Sequence, residues 1–185
     1  GQLVDRIAAQ PSATPVQWLV DSYQADLTVP AMAWPHGEIR TIFLVRDVRS
    51  WVHSRSRKRD RPAAAWRALA RWLRTNRQVE AALQRSGGPV FVLGYEELAL
   101  APEASLRRLC GWLGLEFDAA MLSPGPSSSS HILAGNRVRY DQERAASIRY
   151  DGSWMAHGAA PAALAAALPP VRGINRRLVY GNGLL

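Results

Sequence analysis

Cross-linking residues are scarce in this chain. Its 185 residues include one cysteine, Cys110, which excludes an internal disulfide and suits a reducing, cytoplasmic setting. With that lone thiol, and with His53 and His157 at no metal-ligand spacing, no zinc site can be read and no metal is expected. No apolar run reaches the length that spans a bilayer. The opening GQLVDRIAAQ lacks the basic and apolar regions of a signal peptide. No internal repeat is visible. What is present, 48% hydrophobic and 21% charged residues, matches ordinary globular usage and excludes disordered, collagenous and disulfide-scaffold classes. The length suits a single domain over residues 1–185.

Lysine is also nearly missing: Lys58 stands against 22 arginines, in a chain of net charge +8. Residues 40–77 hold twelve of the bases and only two acids, Asp47 and Asp60, so this stretch carries +10 and the rest −2. A local excess of this size points to an anionic partner.

Alternating strand and helix signals predict an α/β fold, a parallel sheet flanked by helices. Val16–Asp21 reads as a buried strand, Thr41–Val45 (TIFLV) as the clearest strand, and Pro89–Leu93 (PVFVL) as a third. Asp47 is placed to cap a helix running to about Arg59. Pro62 restarts a helix whose apolar stripe is Trp66, Leu69, Ala70, Leu73, Val79 and Leu83, ended by Gly87-Gly88. Pro102 opens another, with Leu106, Leu109, Cys110 and Leu113 inward and Gly114 as its stop. Residues 123–130, SPGPSSSS, form a polar loop, and 141–185 read as a helical C-terminal tail.

Three constellations can carry chemistry. In IFLVRDVRSWVHS (42–54), Arg46 sits at a strand's C-terminal edge, and the following helix offers N–H groups and a positive dipole end. Ser54 lies two helical turns on, sharing a face with Ser50, so one guanidinium and one hydroxyl form a phosphate or sulfate clamp. The alternative is that Arg46 pairs with a nearby carboxylate and Ser54 is simply exposed. In YEELALAPEASLRRLCGWLGLEF (95–117), Glu96 is a candidate base, although an acid after a strand is more often a cap or an ion-pair partner. In HILAGNRVRY (131–140), a Gly135-Asn136 turn presents Arg137 and Arg139, which can close over an anion, and His131 is a weak general-base candidate.

Together these blocks resemble the sulfotransferase family that uses 3′-phosphoadenosine 5′-phosphosulfate (PAPS). Phe43–Arg49 with Ser54 is similar to the family region that holds the cofactor's 3′-phosphate. Val20-Asp21-Ser22 looks like the strand end before it, and Tyr95–Leu98, Pro102 and Leu113–Leu115 like the strand and helix after it. His131, Gly135-Asn136-Arg137 and Arg139 look like the C-terminal cofactor loop, so that residues 16–140 carry the resemblance. It implies a P-loop NTPase-like fold and sulfuryl transfer from PAPS to a hydroxyl or amine of a small-molecule, carbohydrate or lipid acceptor. The product would be 3′,5′-adenosine bisphosphate. Cofactor contacts would fall on Arg46, Ser54, Arg137 and Arg139.

One departure bears on activity. The family's N-terminal Gly-rich loop, which wraps the 5′-phosphosulfate, has no counterpart: Gly87-Gly88 precedes a strand, and no glycine precedes Lys58. The expectation is an N-terminally truncated domain that transfers little or no sulfate alone, with a non-catalytic domain as the alternative. A kinase-like nucleotide binder would need the same absent loop. A basic nucleic-acid module is the weaker reading, because Trp51, Trp66 and Trp72 are spaced to face inward with the neighbouring Ala and Leu.

Overall fold

The computed structural model describes residues 18, 20, 38–56, 62–123, 148–156 and 166–184. Strand β1 (Thr41–Val45) leads into helix α1 (Val48–Ser56), which is followed by the long helix α2 (Pro62–Ser86). Strand β2 (Val90–Gly94) passes directly into α3 (Tyr95–Leu100), then α4 (Pro102–Leu113) and a 3-10 turn at Ala119–Leu122. A short α5 (Ser153–Ala156) and a final α6 (Pro169–Val179) complete the described elements. The two strands pair in parallel, Thr41 with Val90 through Val45 with Gly94, so both C-terminal ends lie side by side. A mixed α/β architecture with a parallel sheet is therefore observed, as expected from the alternating pattern.

Local signals account for the boundaries. The Asp47 carboxylate accepts the Arg49 N–H at 2.7 Å, and its carbonyl accepts the Trp51 N–H, which makes it the N-cap of α1. Gly87 at φ 66° ends α2, and Gly114 at φ 74° closes α4 with N–H bonds to the carbonyls of the last turn.

Side-chain alternation divides the sheet. On one face Phe43, Val45 and Val92 pack with Val48 and Val52 of α1, Ala65, Ala68, Leu69 and Trp72 of α2, and Val171, Ile174, Leu178 and Val179 of α6. On the other, Phe91 meets Trp112 of α4 with ring centroids 5.4 Å apart. Ile42 and Leu44 of β1 point the same way but are exposed.

Three expectations are corrected. The apolar stripe of α2 is rotated by about one residue: Ala64, Ala65, Ala68, Leu69 and Trp72 are buried, whereas Ala70 is exposed and Trp66 is 52% exposed. Small alanines let the helix approach the core closely, and they share the inner face with Leu69 and Trp72. Tyr95–Leu98, likened to the start of the family's following strand and helix, lies wholly in a helix, with Glu96 and Glu97 in its first turn. In the segment expected as a buried strand over 16–21, the described residues Trp18 and Val20 lie outside the sheet, with Val20 87% exposed. An apolar run sets burial tendency, not a pairing edge. The remaining residues of that segment, residues 57–59 of the first predicted helix, and the 141–147 stretch lie outside the described residues.

Candidate functional site

Where β1 and β2 end together, the chain gathers a dense polar cluster. Asp47, Glu96 and Glu97 are all within 1% of complete burial. Buried carboxylates require hydrogen bonds or charge partners, and most of these have them. Asp47 Oδ1 accepts from Arg49 Nε at 2.9 Å; Oδ2 accepts from Arg49 Nη2, Asn175 Nδ2 and the Tyr180 hydroxyl, each at 2.8 Å. Burial alone would raise this carboxyl, but these hydrogen bonds and the Arg49 charge outweigh it and hold Asp47 below its ordinary value. The same contact raises Arg49, and burial beside Asp47 raises the Tyr180 hydroxyl.

Glu96 behaves in the opposite way. One oxygen accepts the Asp47 backbone N–H at 2.8 Å, while Oε1 and the facing Ser50 hydroxyl are buried without a well-formed hydrogen bond. Burial, reinforced by the Asp47 charge, pushes this carboxyl up. Glu96 thus braces the Arg46–Asp47 turn from the first turn of α3 and is buried. The reading as a cap or structural partner is the one its geometry fits. Glu97 is satisfied from the C-terminus, by Asn182 Nδ2 at 2.8 Å and by the Leu184 N–H.

These contacts correct one expectation about α1. Its N-terminus does not present free donors: the N–H groups of Asp47, Val48 and Arg49 go to Glu96 Oε2, Asn175 Oδ1 and Asp47 Oδ1, respectively. Side-chain acceptors from α3, from α6 and from Asp47 itself fill the positive end of the helix, and a guanidinium stands beside them at this edge.

That guanidinium is Arg46. Its carbonyl is anchored by the Trp72 indole N–H at 2.9 Å, which fixes the backbone from which the side chain projects. Arg46 Nη2 pairs with Asp151 Oδ2 at 2.9 Å, and the guanidinium lies 5.3 Å from the Tyr95 ring centre. Ser153 donors, followed by the Arg46 contact, hold Asp151 below its ordinary value. Around it, the Tyr95 hydroxyl donates to the Arg149 carbonyl, Trp154 donates to the Tyr150 hydroxyl, and Arg49 stacks 4.7 Å from the Trp154 ring. Residues 149–154 therefore form a strap across the strand ends, and Asp151 is its anion.

Of the site residues read from the sequence, Arg46 stands at the expected strand edge and Ser54 is exposed on α1, with no hydrogen bond between them. His131, Arg137 and Arg139 lie outside the described residues. The sequence reading missed Asp151, Trp154, Asn175 and Tyr180. Their signal, an acid and aromatics within YDGSW and polar residues at helical spacing after Pro169, lay in a tail with no strand to orient it. Among the described residues, no group of His, Cys, Asp and Glu could hold a metal ion, and no helix is long and apolar enough to cross a membrane. A groove of about 300 Å³ lined by Phe43, Leu83, Val90 and Leu178 opens at the opposite end of the sheet, away from Arg46.

Compared with curated proteins and with solved structures, the chain matches none. A sequence model of the sulfotransferase family matches residues 3–119, which include β1, Arg46, α1, α2, β2 and α4. The strand–Arg–helix edge described above thus lies inside the matched region, and the chain belongs to the sulfotransferase family.

Proposed function

We propose that this domain binds PAPS and takes part in sulfuryl transfer to a hydroxyl or amine of a small-molecule, carbohydrate or lipid acceptor. Family membership supports sulfuryl transfer as the chemistry. The observation that carries the cofactor assignment is Arg46. It is a guanidinium at the C-terminal end of a parallel strand, backbone-anchored by Trp72, and its carboxylate partner is a half-exposed aspartate that a phosphate can replace. In this reading Arg46 grips the 3′-phosphate, Ser54 contributes its hydroxyl, and Arg137 and Arg139 close over the nucleotide.

The reaction breaks the bond between the sulfuryl sulfur and the donor's bridging oxygen and forms one from sulfur to the acceptor oxygen or nitrogen. The acceptor's proton passes to a base, for which His131 is the candidate. By analogy with phosphoryl transfer, positioning and charge stabilisation do most of the work. Arg46 acts at the far end of the nucleotide, so its contribution is binding and alignment.

Calorimetry with 3′,5′-adenosine bisphosphate tests this. Arg46→Ala should weaken binding by more than ~1.5 kcal/mol, roughly tenfold, as for loss of a charge-assisted contact. An unchanged affinity would remove Arg46 from the site. One observation favours a second reading, a non-catalytic domain: the first three N–H donors at α1 are already occupied by side chains. Absence of any bisphosphate binding by the unaltered chain would select it.

A further inference from the structure

We propose that the outer surface formed by α2 and α6 is a docking face for an anionic lipid surface, independent of the nucleotide site. The two helices carry eight arginines and one glutamate, Glu80, a local net charge of +7. Glu80 is already taken: Arg177 of α6 binds it through Nη2 to both carboxylate oxygens, at 2.9 and 2.8 Å. On α2, Arg67, Arg71, Arg74, Arg77 and Arg85 are all exposed, along about 27 Å of helix axis. Arg172 and Arg176 are exposed on α6. Across the sheet, the exposed charges of residues 95–122 are Glu103, Glu116 and Asp118 against Arg107 and Arg108, with no cationic excess.

Stability does not explain this face. Arg67 and Arg71 are four apart, Arg71 and Arg74 three apart, and Arg74 and Arg77 three apart; like charges at these spacings destabilise a helix where an intervening glutamate would support it.

Shape selects the occupant. The inner side of α2 packs on α1 and shares the core with α6, so only its outer side is available to a partner. What remains is the outer side of a helical layer, suited to a flat array of charges. Trp66 is 52% exposed beside Arg67 and between exposed Ala63 and Ala70, an indole placed to enter the headgroup layer while the arginines meet lipid phosphates and carboxylates.

The test is co-sedimentation of the full chain with phosphatidylcholine vesicles containing about 30% phosphatidylserine, compared with pure phosphatidylcholine vesicles. Partitioning onto the anionic vesicles should exceed that onto neutral ones at least about tenfold and decline steeply as salt shortens the screening length. Combined Arg67→Gln, Arg74→Gln, Arg77→Gln and Arg85→Gln should remove at least about tenfold of it with no fall in melting temperature. Arg107→Gln, on the opposite side, should change nothing, and Trp66→Ala should lower partitioning about threefold without altering its salt dependence. Equal partitioning onto both vesicles, partitioning that survives the four substitutions, or binding to a DNA duplex with none to vesicles would overturn the proposal. Arg46→Ala leaves this partitioning intact, so failure here and failure of the nucleotide assignment are distinguishable.

Discussion

Asp47 and Glu96 are two carboxyls joined through one backbone N–H, yet they respond oppositely to pH. Asp47 is held below its ordinary 3.8, so its stabilisation is present above that value and lost as pH falls through the folded one. Glu96 is raised above its ordinary 4.5, so the folded state keeps a proton that the unfolded chain releases, and stability falls as pH rises between the two values. Thermal melts should therefore show Asp47→Asn most damaging near neutral pH and less so in strong acid. Glu96→Gln, which keeps an acceptor for the Asp47 N–H, should gain on the parent chain as pH rises from about 4. Parallel pH profiles for the two variants would contradict the assignment. Asp151 acts at the same scale. Its pair with Arg46 is largely exposed, so it is worth at most about 1 kcal/mol, and a dianion arriving there meets an aspartate already in place. Asp151→Asn should tighten adenosine bisphosphate several-fold by calorimetry; a weaker complex would mean that Asp151 positions Arg46 and does not compete for it.

Among the elements, those bounded by local chemistry were legible and those defined by contact were not. TIFLV and PVFVL announce strands by β-branched and aromatic runs, Pro62 and Pro102 open helices, and Gly87 and Gly114 close them through positive φ. No local signal reports that α3 follows β2 without a loop, because Tyr-Glu-Glu-Leu is compatible with either state. Contact also dictates Gly94, whose φ of −77° any residue adopts. A β-carbon there would lie 1.8 Å from the Val179 carbonyl oxygen, since the end of β2 passes directly against the end of α6. Gly94→Ala should cost about 3 kcal/mol, the upper range for overpacking a tight site, as measured by denaturant unfolding. A neutral result would show that α6 can slide.

Over the whole molecule, the decisive element is the one that the family match does not reach. Matching ends at residue 119, yet α6 supplies Val171, Ile174, Leu178 and Val179 to the core, and Asn175 and Tyr180 to the Asp47 cluster. Burying four such side chains is worth roughly 6–12 kcal/mol, comparable to the net stability of an ordinary domain. A chain ended after Leu168 should therefore lose cooperative unfolding, read as a broad, low-amplitude calorimetric transition; a sharp melt would place the core elsewhere. The sequence by itself determined the α/β class, the helix and strand boundaries set by Pro, Gly and Asp47, the family, and Arg46 at a strand's edge. Each depends on interactions within a few residues or on an ordered set of short blocks. Tertiary structure alone decided that α2 buries its alanine line and turns Trp66 outward, that α1's donors are filled by Glu96 and Asn175, and that Asp151 sits on Arg46. The last two outcomes join residues 49 to 127 positions apart, and no local propensity or periodicity encodes a contact at that separation.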